Sequence, residues 1–223
     1  MLADGGLLRM IAATSPTLRI LTDAERAASL AATLAARPAG GDGVWLFAYG
    51  SLIWNPAIRV ADMRLARVHG WHRAFCLSTM VGRGTPELPG LVLGLDRGGA
   101  CLGAAFRVAE ADLATELDLL WRREMLAGSY APRWVPVRGG DGVPFGHAIA
   151  FTIRRDGPYY TRLERVALVE RLATACGGLG SSAEYLFKTR DGLRGLGIHD
   201  RGVEALSDAV ERYTGREAAP TPR

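Results

Sequence analysis

The order of β-forming and helix-forming segments along the chain is the feature that most restricts its fold. Short segments rich in apolar and β-branched residues occupy the middle of the 223-residue sequence, and segments with helical periodicity dominate its end. One helical segment, at residues 111–127, interrupts the predicted strands. This order predicts an α+β fold with a curled, mainly antiparallel sheet, and it disfavours a doubly wound parallel sheet.

Glycine-rich turns bound most of the predicted strands. Residues 44–49 form a short apolar run that predicts a buried strand, and residues 63–77 predict either a strand pair or one long strand bent near Gly70. Hairpin turns are predicted at residues 96–99 and 139–142, because the glycines there tolerate the positive φ angles of tight turns. The remaining predicted helices cover residues 162–176, 182–194 and 202–213.

Three regions are expected along the chain. Residues 1–43 are interpreted as an N-terminal helical extension and linker, in which Thr22 and Glu25 have the spacing of a capping box. Residues 44–214 are expected to form the main domain. Residues 215–223 form a polar tail that we expect to be frayed.

The charge pattern argues against a nucleic-acid-binding protein. The net charge is +4 and the pI is near 9.2, and all but one of the 27 basic residues are arginine, the exception being Lys188. The arginines are interspersed with acidic residues, whereas a protein that binds a phosphate backbone gathers its basic residues on one face. We therefore expect no nucleic-acid partner.

Hydropathy and cysteine usage indicate the cellular compartment. No apolar stretch approaches the roughly 18 residues of a membrane span, and the residues after Met1 lack the basic and apolar regions of a secretory signal. Cys76, Cys101 and Cys176 have neither an even pairing nor the spacing of a redox or metal motif. We expect a cytoplasmic protein with reduced, buried thiols and no membrane partner.

Glu124 is the first candidate for acid–base chemistry. At about 3.6 residues per turn it lies near the centre of the apolar stripe of its predicted helix, whereas Arg122 and Arg123 are expected to point elsewhere. The stripe consists of Leu113, Leu117, Leu120 and Trp121. Burial and the nearby helix C-terminus both raise the pKa of such a carboxyl, which suits a general acid or base. The alternatives are a glutamate that reaches past the helix end into solvent, or one that pairs with a buried arginine.

The turn at residues 49–56, directly after the strongest predicted strand, is the second candidate. Gly50 leaves the backbone open to a ligand, and successive N–H groups from Gly50 to Ile53 could surround a carboxylate or an oxyanion, with Ser51 adding a hydroxyl. The turn lacks the second glycine of a serine-hydrolase elbow and the Gly-Lys-Ser/Thr of a phosphate-binding loop. The alternative is an ordinary strand-to-turn junction whose apolar residues serve packing.

Three further features are weaker. The loop at residues 82–90 is a candidate mobile rim over a pocket, with Arg83 and a nearby glutamate available to a zwitterionic substrate, or it is an ordinary connector. The Tyr130 hydroxyl could bind a polar ligand, or the ring could serve packing. His69 and His72 would lie on opposite faces of a strand, so no metal site is predicted. No nucleotide cofactor is indicated.

Several of these segments together carry a family resemblance. The segments in chain order are Phe47–Trp54 with its Tyr-Gly-Ser-Leu, Gly82–Thr85, Pro89–Leu95, Trp121–Met125 with Tyr130, Tyr185-Leu186 and Gly197–Asp200. In this order they resemble the ChaC-type glutathione-specific γ-glutamylcyclotransferases, over about residues 44–214. A Tyr-Gly-Ser-Leu segment alone is weak, but together with an Arg-Glu pair at a helix end it is specific.

The resemblance implies a cofactor-free enzyme that cleaves glutathione into 5-oxoproline and cysteinylglycine. It also implies a small, barrel-like sheet with helices packed around it, and a catalytic role for Glu124. The residues implied to hold the γ-glutamyl group are Ala48, Tyr49, Gly50, Ser51, Leu52 and Ile53. Many relatives have glycine at the position of Ala48, from which we expect a tighter pocket wall and no loss of activity. We expect the protein to act as a monomer on a small-molecule substrate.

Other functions remain open at this point. The first is the same reaction on another γ-glutamyl compound, and the second is a non-catalytic module that binds an anionic metabolite. A buried Glu124 argues against the second, because a carboxylate receptor gains nothing from an adjacent negative charge. An arginine-mediated RNA-binding protein is the third, and it would bind with steep salt dependence.

Overall fold

Five strands close into a barrel. The structure is a computed structural model that describes residues 18–40 and 43–217, with side chains described as far as residue 215. The barrel strands are β1 (Val44–Ala48), β2 (Asp62–Thr79), β3 (Gly90–Val108), β4 (Tyr130–Arg138) and β5 (Pro144–Ile153). Their order around the barrel is β1-β3-β2-β4-β5, with β5 next to β1. A closed barrel leaves no unpaired sheet edge, which is the common way for such strands to avoid aggregation.

Helices come before, within and after the barrel strands. They are α1 (Asp23–Ala35), α2 (Ser51–Trp54), α3 (Leu113–Glu124), α4 (Arg165–Thr174), α5 (Ser182–Gly195) and α6 (Arg201–Glu217). A 3₁₀ turn, Glu110–Asp112, leads into α3, and two short strands, β6 (Cys176–Gly177) and β7 (Gly180–Ser181), pair with each other. The short α2 and the β6–β7 pair were not predicted, because segments of two to four residues are too short to show a period.

The pairings confirm the expected α+β class with a mainly antiparallel sheet. β1 pairs antiparallel with β3, and β4 pairs antiparallel with both β2 and β5. The parallel pairings are β1 with β5 and a single bridge between Leu95 and Thr152. The hairpin predicted at residues 139–142 is present between β4 and β5.

The hairpin predicted at residues 96–99 is wrong. β3 runs without interruption from Gly90 to Val108, and both of its halves lie in the barrel. Gly98 and Gly99 have φ angles of +106° and +68°, which bend the strand without reversing it. Glycine serves a bulge as readily as a hairpin turn, so the local sequence does not separate the two. β2 likewise continues through Gly70, which agrees with the single bent strand.

The described chain forms two compact units. One unit holds residues 18–74 and 94–160, and it contains α1, α3 and most of the barrel. Its core includes the fully buried side chains of Leu46, Phe47, Leu95, Leu117, Trp121, Ile149 and Phe151. β1 is buried on both faces, which is why its sequence is a continuous apolar run and does not alternate with polar residues.

The second unit contains residues 75–93 and, within the described chain, residues 161–217. Its helices α4, α5 and α6 pack on one another, and α6 extends through Glu217, beyond its predicted end at residue 213. The first residues of the predicted frayed tail are therefore helical, and residues 218–223 lie outside the described residues. Cys176 is exposed, in contrast to the expected burial, whereas Cys76 and Cys101 are buried, and all three are free thiols.

Residues 18–37 contact the barrel unit to which they belong. The predicted capping box is confirmed, because the Thr22 hydroxyl accepts from the Glu25 N–H and the Glu25 carboxylate accepts from the Thr22 N–H. Trp121 and Trp134 each donate an indole N–H to this segment, to Ser29 Oγ at 3.2 Å and to the Thr33 carbonyl at 2.7 Å. Residues 41 and 42 of the predicted linker lie outside the described residues.

The helices of the described chain also bear on the expectation about membranes. Not one of them is both long enough and apolar enough to cross a bilayer.

Candidate active site

Glu124 is the last residue of α3, and its side chain is only 13% exposed. The apolar stripe of α3 is buried as predicted, and the carboxyl group follows it toward the interior. Oε1 of Glu124 is buried and has no hydrogen-bond partner among the described residues, although Arg123 Nε lies 3.0 Å away. The two atoms therefore form a close ion pair without hydrogen-bond geometry.

Burial and the neighbouring cation act on the Glu124 pKa in opposite directions. Desolvation by burial raises the pKa above its usual value and is the larger effect, whereas the Arg123 guanidinium lowers it. The net result is a raised pKa, as the position of Glu124 on the apolar stripe predicted. A carboxyl tuned in this direction can accept and return a proton closer to neutral pH than an exposed glutamate can.

Arg123 faces the turn that follows β1, so the prediction that it points elsewhere is wrong. Its Nη2 donates to Ser51 Oγ at 2.8 Å, and its Nη1 donates to the Asn55 carbonyl. Arg122 does point away, and pairs with Asp118 on the exposed side of α3. The periodicity of α3 placed the two Cα atoms correctly, but a long arginine side chain reaches back across the helix end.

The turn at residues 49–55 is held in place by buried contacts. The Tyr49 hydroxyl donates to the Phe151 carbonyl at 2.7 Å, and the Tyr49 carbonyl accepts from Arg73 Nε at 2.5 Å. Arg73 also donates to the Leu102 carbonyl at 2.8 Å, which ties the turn to β3. Arg73 was not predicted as a site residue, because nothing in the sequence near it distinguishes it from the other arginines of β2.

The predicted ring of N–H groups is one member smaller than expected. The Ile53 N–H donates to the Gly50 carbonyl at 2.9 Å, so it is already bonded within the turn and does not face an anion. Gly50 directly precedes the short helix α2, and Ser51 and Leu52 are the first two residues of that helix. The N–H groups of residues at the start of a helix have no hydrogen-bond partner within it. Ala48 and Leu52 are buried beside them.

Phe151 on β5 connects the aromatic groups of the site. The Trp121 ring of α3 meets it edge-on with 5.1 Å between centroids, and the Tyr130 ring of β4 does so at 6.5 Å. The Tyr49 hydroxyl bonds to the backbone of the same residue. The structure thus gathers the predicted residues Tyr49 and Tyr130 around one residue of the barrel core, Tyr49 at its backbone and Tyr130 at its ring, and Phe151 itself was missed by sequence reasoning.

Arg83 lies in the second unit, where it has partners within the protein. Its Nη1 donates to Glu184 Oε2 at 2.8 Å and to the Ser181 carbonyl at 3.3 Å, and its guanidinium lies 5.9 Å from the centre of the Tyr185 ring. The Leu179 N–H also donates to the Gly82 carbonyl. These contacts fasten the loop expected to be a mobile rim, and the role of Arg83 toward a substrate stays a prediction.

The histidines of β2 offer no metal site. His72 Nδ1 lies 3.0 Å from the Gly98 carbonyl, at the bend in β3. Within the described residues no group of three or more His, Cys, Asp or Glu side chains is arranged to hold a metal ion. That the reaction needs no cofactor stays a prediction.

Comparison with solved structures defines the class of fold. A crystal structure described as the yeast γ-glutamylcyclotransferase specific to glutathione superposes with a TM-score of 0.71 over 78% of this chain and 97% of that chain, at 20% identity. A second structure of the yeast enzyme gives a TM-score of 0.67. The barrel with its packed helices is therefore a γ-glutamylcyclotransferase fold.

Sequence comparison defines the family within that class. A family model described as ChaC-like protein matches residues 44–213. The glutathione-specific γ-glutamylcyclotransferase of Escherichia coli is 44% identical over 84% of this chain and 81% of the relative, and glutathione-specific γ-glutamylcyclotransferase 1 of Mus musculus is 32% identical over 78% and 83%. The chain belongs to the ChaC-like protein family.

Proposed function

We propose that this chain is a glutathione-specific γ-glutamylcyclotransferase that releases 5-oxoproline and cysteinylglycine. The observation that carries the proposal is the buried Oε1 of Glu124, which lacks a hydrogen-bond partner among the described residues and is tied through Arg123 to the Tyr-Gly-Ser-Leu turn. A buried carboxylate oxygen that no protein group satisfies is costly unless a ligand uses it. The curated relatives named for this activity support the choice of substrate.

The first step is a proton transfer followed by ring closure. The α-ammonium group of the γ-glutamyl residue gives one proton to Glu124, and the resulting amine nitrogen attacks the γ-carbonyl carbon of the same residue. The new C–N bond closes a five-membered ring, and the carbonyl oxygen takes up negative charge. The nucleophile belongs to the substrate, so positioning supplies much of the rate and no covalent enzyme intermediate forms.

The second step breaks the amide bond to cysteine. The tetrahedral intermediate collapses to 5-oxoproline as the bond between the γ-carbon and the cysteine nitrogen breaks. Glu124 returns its proton to the departing nitrogen, and the ring nitrogen, which still carries two hydrogens after the attack, passes one of them to the same departing nitrogen, so that cysteinylglycine leaves with an ammonium group. Atoms balance without water, and Glu124 ends the cycle as the carboxylate in which it began.

The turn at residues 49–53 is proposed to hold the γ-glutamyl group. The backbone N–H groups of Gly50, Ser51 and Leu52 suit a carboxylate or the developing oxyanion, because preorganised amides stabilise charge without reorganising. The Ser51 hydroxyl accepts from Arg123, which leaves its own proton for a substrate oxygen. Tyr130 and Arg83 are proposed as further contacts of the substrate.

The experiment that tests this function is incubation of the purified protein with glutathione, followed by detection of 5-oxoproline and cysteinylglycine in equal amounts. Other γ-glutamyl dipeptides and γ-glutamyl amines form the second arm. If 5-oxoproline is released from those donors but not from glutathione, the substrate is another γ-glutamyl compound. Calorimetric binding of glutathione without any product would instead indicate the metabolite-binding module.

Two further expectations belong to this proposal. We propose that the enzyme acts as a monomer. Light scattering coupled to size-exclusion chromatography measures its molar mass in solution and tests this directly. We also propose a cytoplasmic location, in keeping with the free thiols of Cys76, Cys101 and Cys176. Fractionation of cells that express the tagged full-length chain tests it.

A further inference from the structure

We propose that Arg123 is a positioning residue that clamps both ends of the short helix α2 and holds that turn in register with Glu124. The inference rests on the proposed function, because it assigns to Arg123 the task of aligning the proposed substrate turn with the proposed acid–base group. Arg123 is not proposed to touch the reacting atoms.

The three nitrogens of the guanidinium reach three different places. Nη2 donates to Ser51, the first residue of α2, and Nη1 donates to the carbonyl of Asn55, the residue that follows its last turn. Nε lies 3.0 Å from Glu124. A planar guanidinium presents its donors in a rigid fork, so fixing one of these partners fixes the others. A lysine at this position would supply the charge but not the fork.

The environment of Arg123 fits a fixed residue better than a surface ion pair. Its side chain is 14% exposed, and its bonds to Ser51 and Asn55 connect positions 72 and 68 residues away along the chain. The contact with Glu124 lacks hydrogen-bond geometry, so Oε1 remains available to accept a proton from a substrate. Arg123 therefore restrains the turn while it leaves the acceptor atom of Glu124 unused.

The charged groups around α3 include a residue whose removal serves as a control for the effect of Arg123. Arg123 is the one charged residue of the described chain whose charge shifts the Glu124 pKa. On α1, which packs against α3, Asp23 pairs with Arg26 and also acts on Arg122. Removing Arg122 therefore changes the charge of α3 by the same amount without touching the turn or Glu124, which makes it the matched control.

The test compares R123M, R123K and the control R122M in the full-length protein. Each is assayed for 5-oxoproline release across pH 5 to 9, and amide hydrogen exchange is followed at residues 51–55, where the Ile53 and Asn55 N–H groups are bonded within the turn. Circular dichroism establishes that each variant folds. Exchange at the turn does not depend on turnover, so it tests the clamp separately from the proposed reaction.

For R123M we expect a loss of about 100-fold in kcat, as for other misplacements of reacting groups near 1 Å, and exchange at residues 53 and 55 at least about 10-fold faster. The acidic limb of kcat/KM moves to higher pH, because the cation that lowers the Glu124 pKa is gone. R123K keeps that limb near the wild-type pH but still loses about 10-fold in kcat, since it keeps the charge and loses the fork. R122M matches the wild type in all readouts.

Wild-type exchange and a wild-type pH profile in R123M would overturn the inference, and so would an R123K variant with full kcat. If R123M does not fold, R123K decides alone: a full kcat together with wild-type exchange at residues 53 and 55 would overturn the inference. If the wild-type protein releases no 5-oxoproline from any donor but exchange at the turn rises in R123M and R123K, the proposed function fails and the clamp stands.

Discussion

At the scale of single residues, two opposing effects set the pKa of Glu124: its burial and the neighbouring charge of Arg123. Burial favours the neutral carboxyl and raises the pKa, and the guanidinium of Arg123 favours the carboxylate. A carboxyl whose pKa is raised in this way can serve as base in one step and as acid in the next.

The first prediction concerns the loss of this acid–base group. Glu124→Gln keeps the size of the side chain but cannot accept a proton, so kcat should fall at least about 100-fold while the fold is retained. Steady-state kinetics with glutathione and circular dichroism measure the two effects. Asp118→Asn is the matched control, because Asp118 lies on the exposed face of the same helix. Turnover of Glu124→Gln within a few-fold of wild type would remove Glu124 from the mechanism.

The second prediction concerns stability as a function of pH. Since the pKa of Glu124 is raised above its usual value of 4.5, the folded protein binds more protons than the unfolded chain between 4.5 and the raised pKa. The contribution of Glu124 to the free energy of unfolding is therefore full below pH 4.5 and falls as the pH rises through this window. Relative to wild type, Glu124→Gln should gain stability from pH 4.5 toward neutral pH.

Urea denaturation of the wild type and of Glu124→Gln at pH 4.5, 6, 7 and 8 measures this difference. The comparison cancels other titrating groups, because both proteins carry them. The substitution also replaces the partner of Arg123, and any constant change that this causes in the free energy of unfolding adds equally at each pH. A stability difference that does not change with pH would show that Glu124 has the same pKa in the folded and unfolded states.

Sequence reasoning located Glu124 but not its partner, for a physical reason. The helical period fixes the direction of Cα–Cβ bonds, and Glu124 is short enough for that direction to decide its burial. Arg123 carries its charge several bonds from the backbone, and its partners Ser51 and Asn55 lie on another element. Contacts of this kind depend on tertiary packing, which no local pattern encodes.

At the scale of elements, the long strand β3 brings the barrel and the turn after β1 together. Its residues Ala104–Val108 pair with β1, so that Ala48, the last residue before the turn, lies opposite Ala104. One residue earlier, Gly103 allows the two backbones to approach closely. A Cβ atom at Gly103 would lie 2.3 Å from the Ala48 carbonyl oxygen and 3.1 Å from the Phe47 ring.

The third prediction follows from this close approach. Gly103→Ala should lower the free energy of unfolding by about 1–3 kcal/mol, because the added methyl group meets backbone that cannot move without disturbing β1. Gly140→Ala is the control, since a Cβ there meets only the Leu65 side chain, at 3.9 Å. Chemical denaturation of both variants measures the difference. Equal stability of the two would mean that β1 and β3 separate at little cost.

The two predicted hairpins show how far local sequence determines these elements. Both have glycine-rich turns between apolar segments, yet only residues 139–142 reverse the chain. Between residues 95 and 104 the chain instead changes partner, from Thr152 of β5 to Ala48 of β1. The choice between reversal and bending depends on which strands are available to pair, and those strands are distant in sequence.

At the scale of the whole molecule, several arginines of the described chain are engaged in ion pairs with carboxylates. These pairs include Arg37 with Glu110, Arg155 with Asp96 and Arg190 with Glu211. Asp96 is buried and its pKa is lowered by hydrogen bonds from Arg155 and Tyr160 in spite of the opposing effect of burial. The net charge of +4 is therefore compatible with a small-molecule enzyme.

The fourth prediction tests whether the main domain begins at residue 44. Trp121 and Trp134 donate to Ser29 and Thr33, so removing residues 18–43 replaces two protein hydrogen bonds with bonds to water and uncovers two indole rings. At about 1 kcal/mol for each hydrogen bond, a chain that begins at residue 44 should be at least about 2 kcal/mol less stable than one that begins at residue 18. The chain that begins at residue 18 is the matched control, because it lacks the same first 17 residues but keeps α1.

Because Trp121 also packs on Phe151, to which the Tyr49 hydroxyl bonds, kcat should fall together with stability. Equal stability and equal kcat of the two chains would make residues 18–43 a dispensable appendage and would establish residue 44 as the true start of the domain.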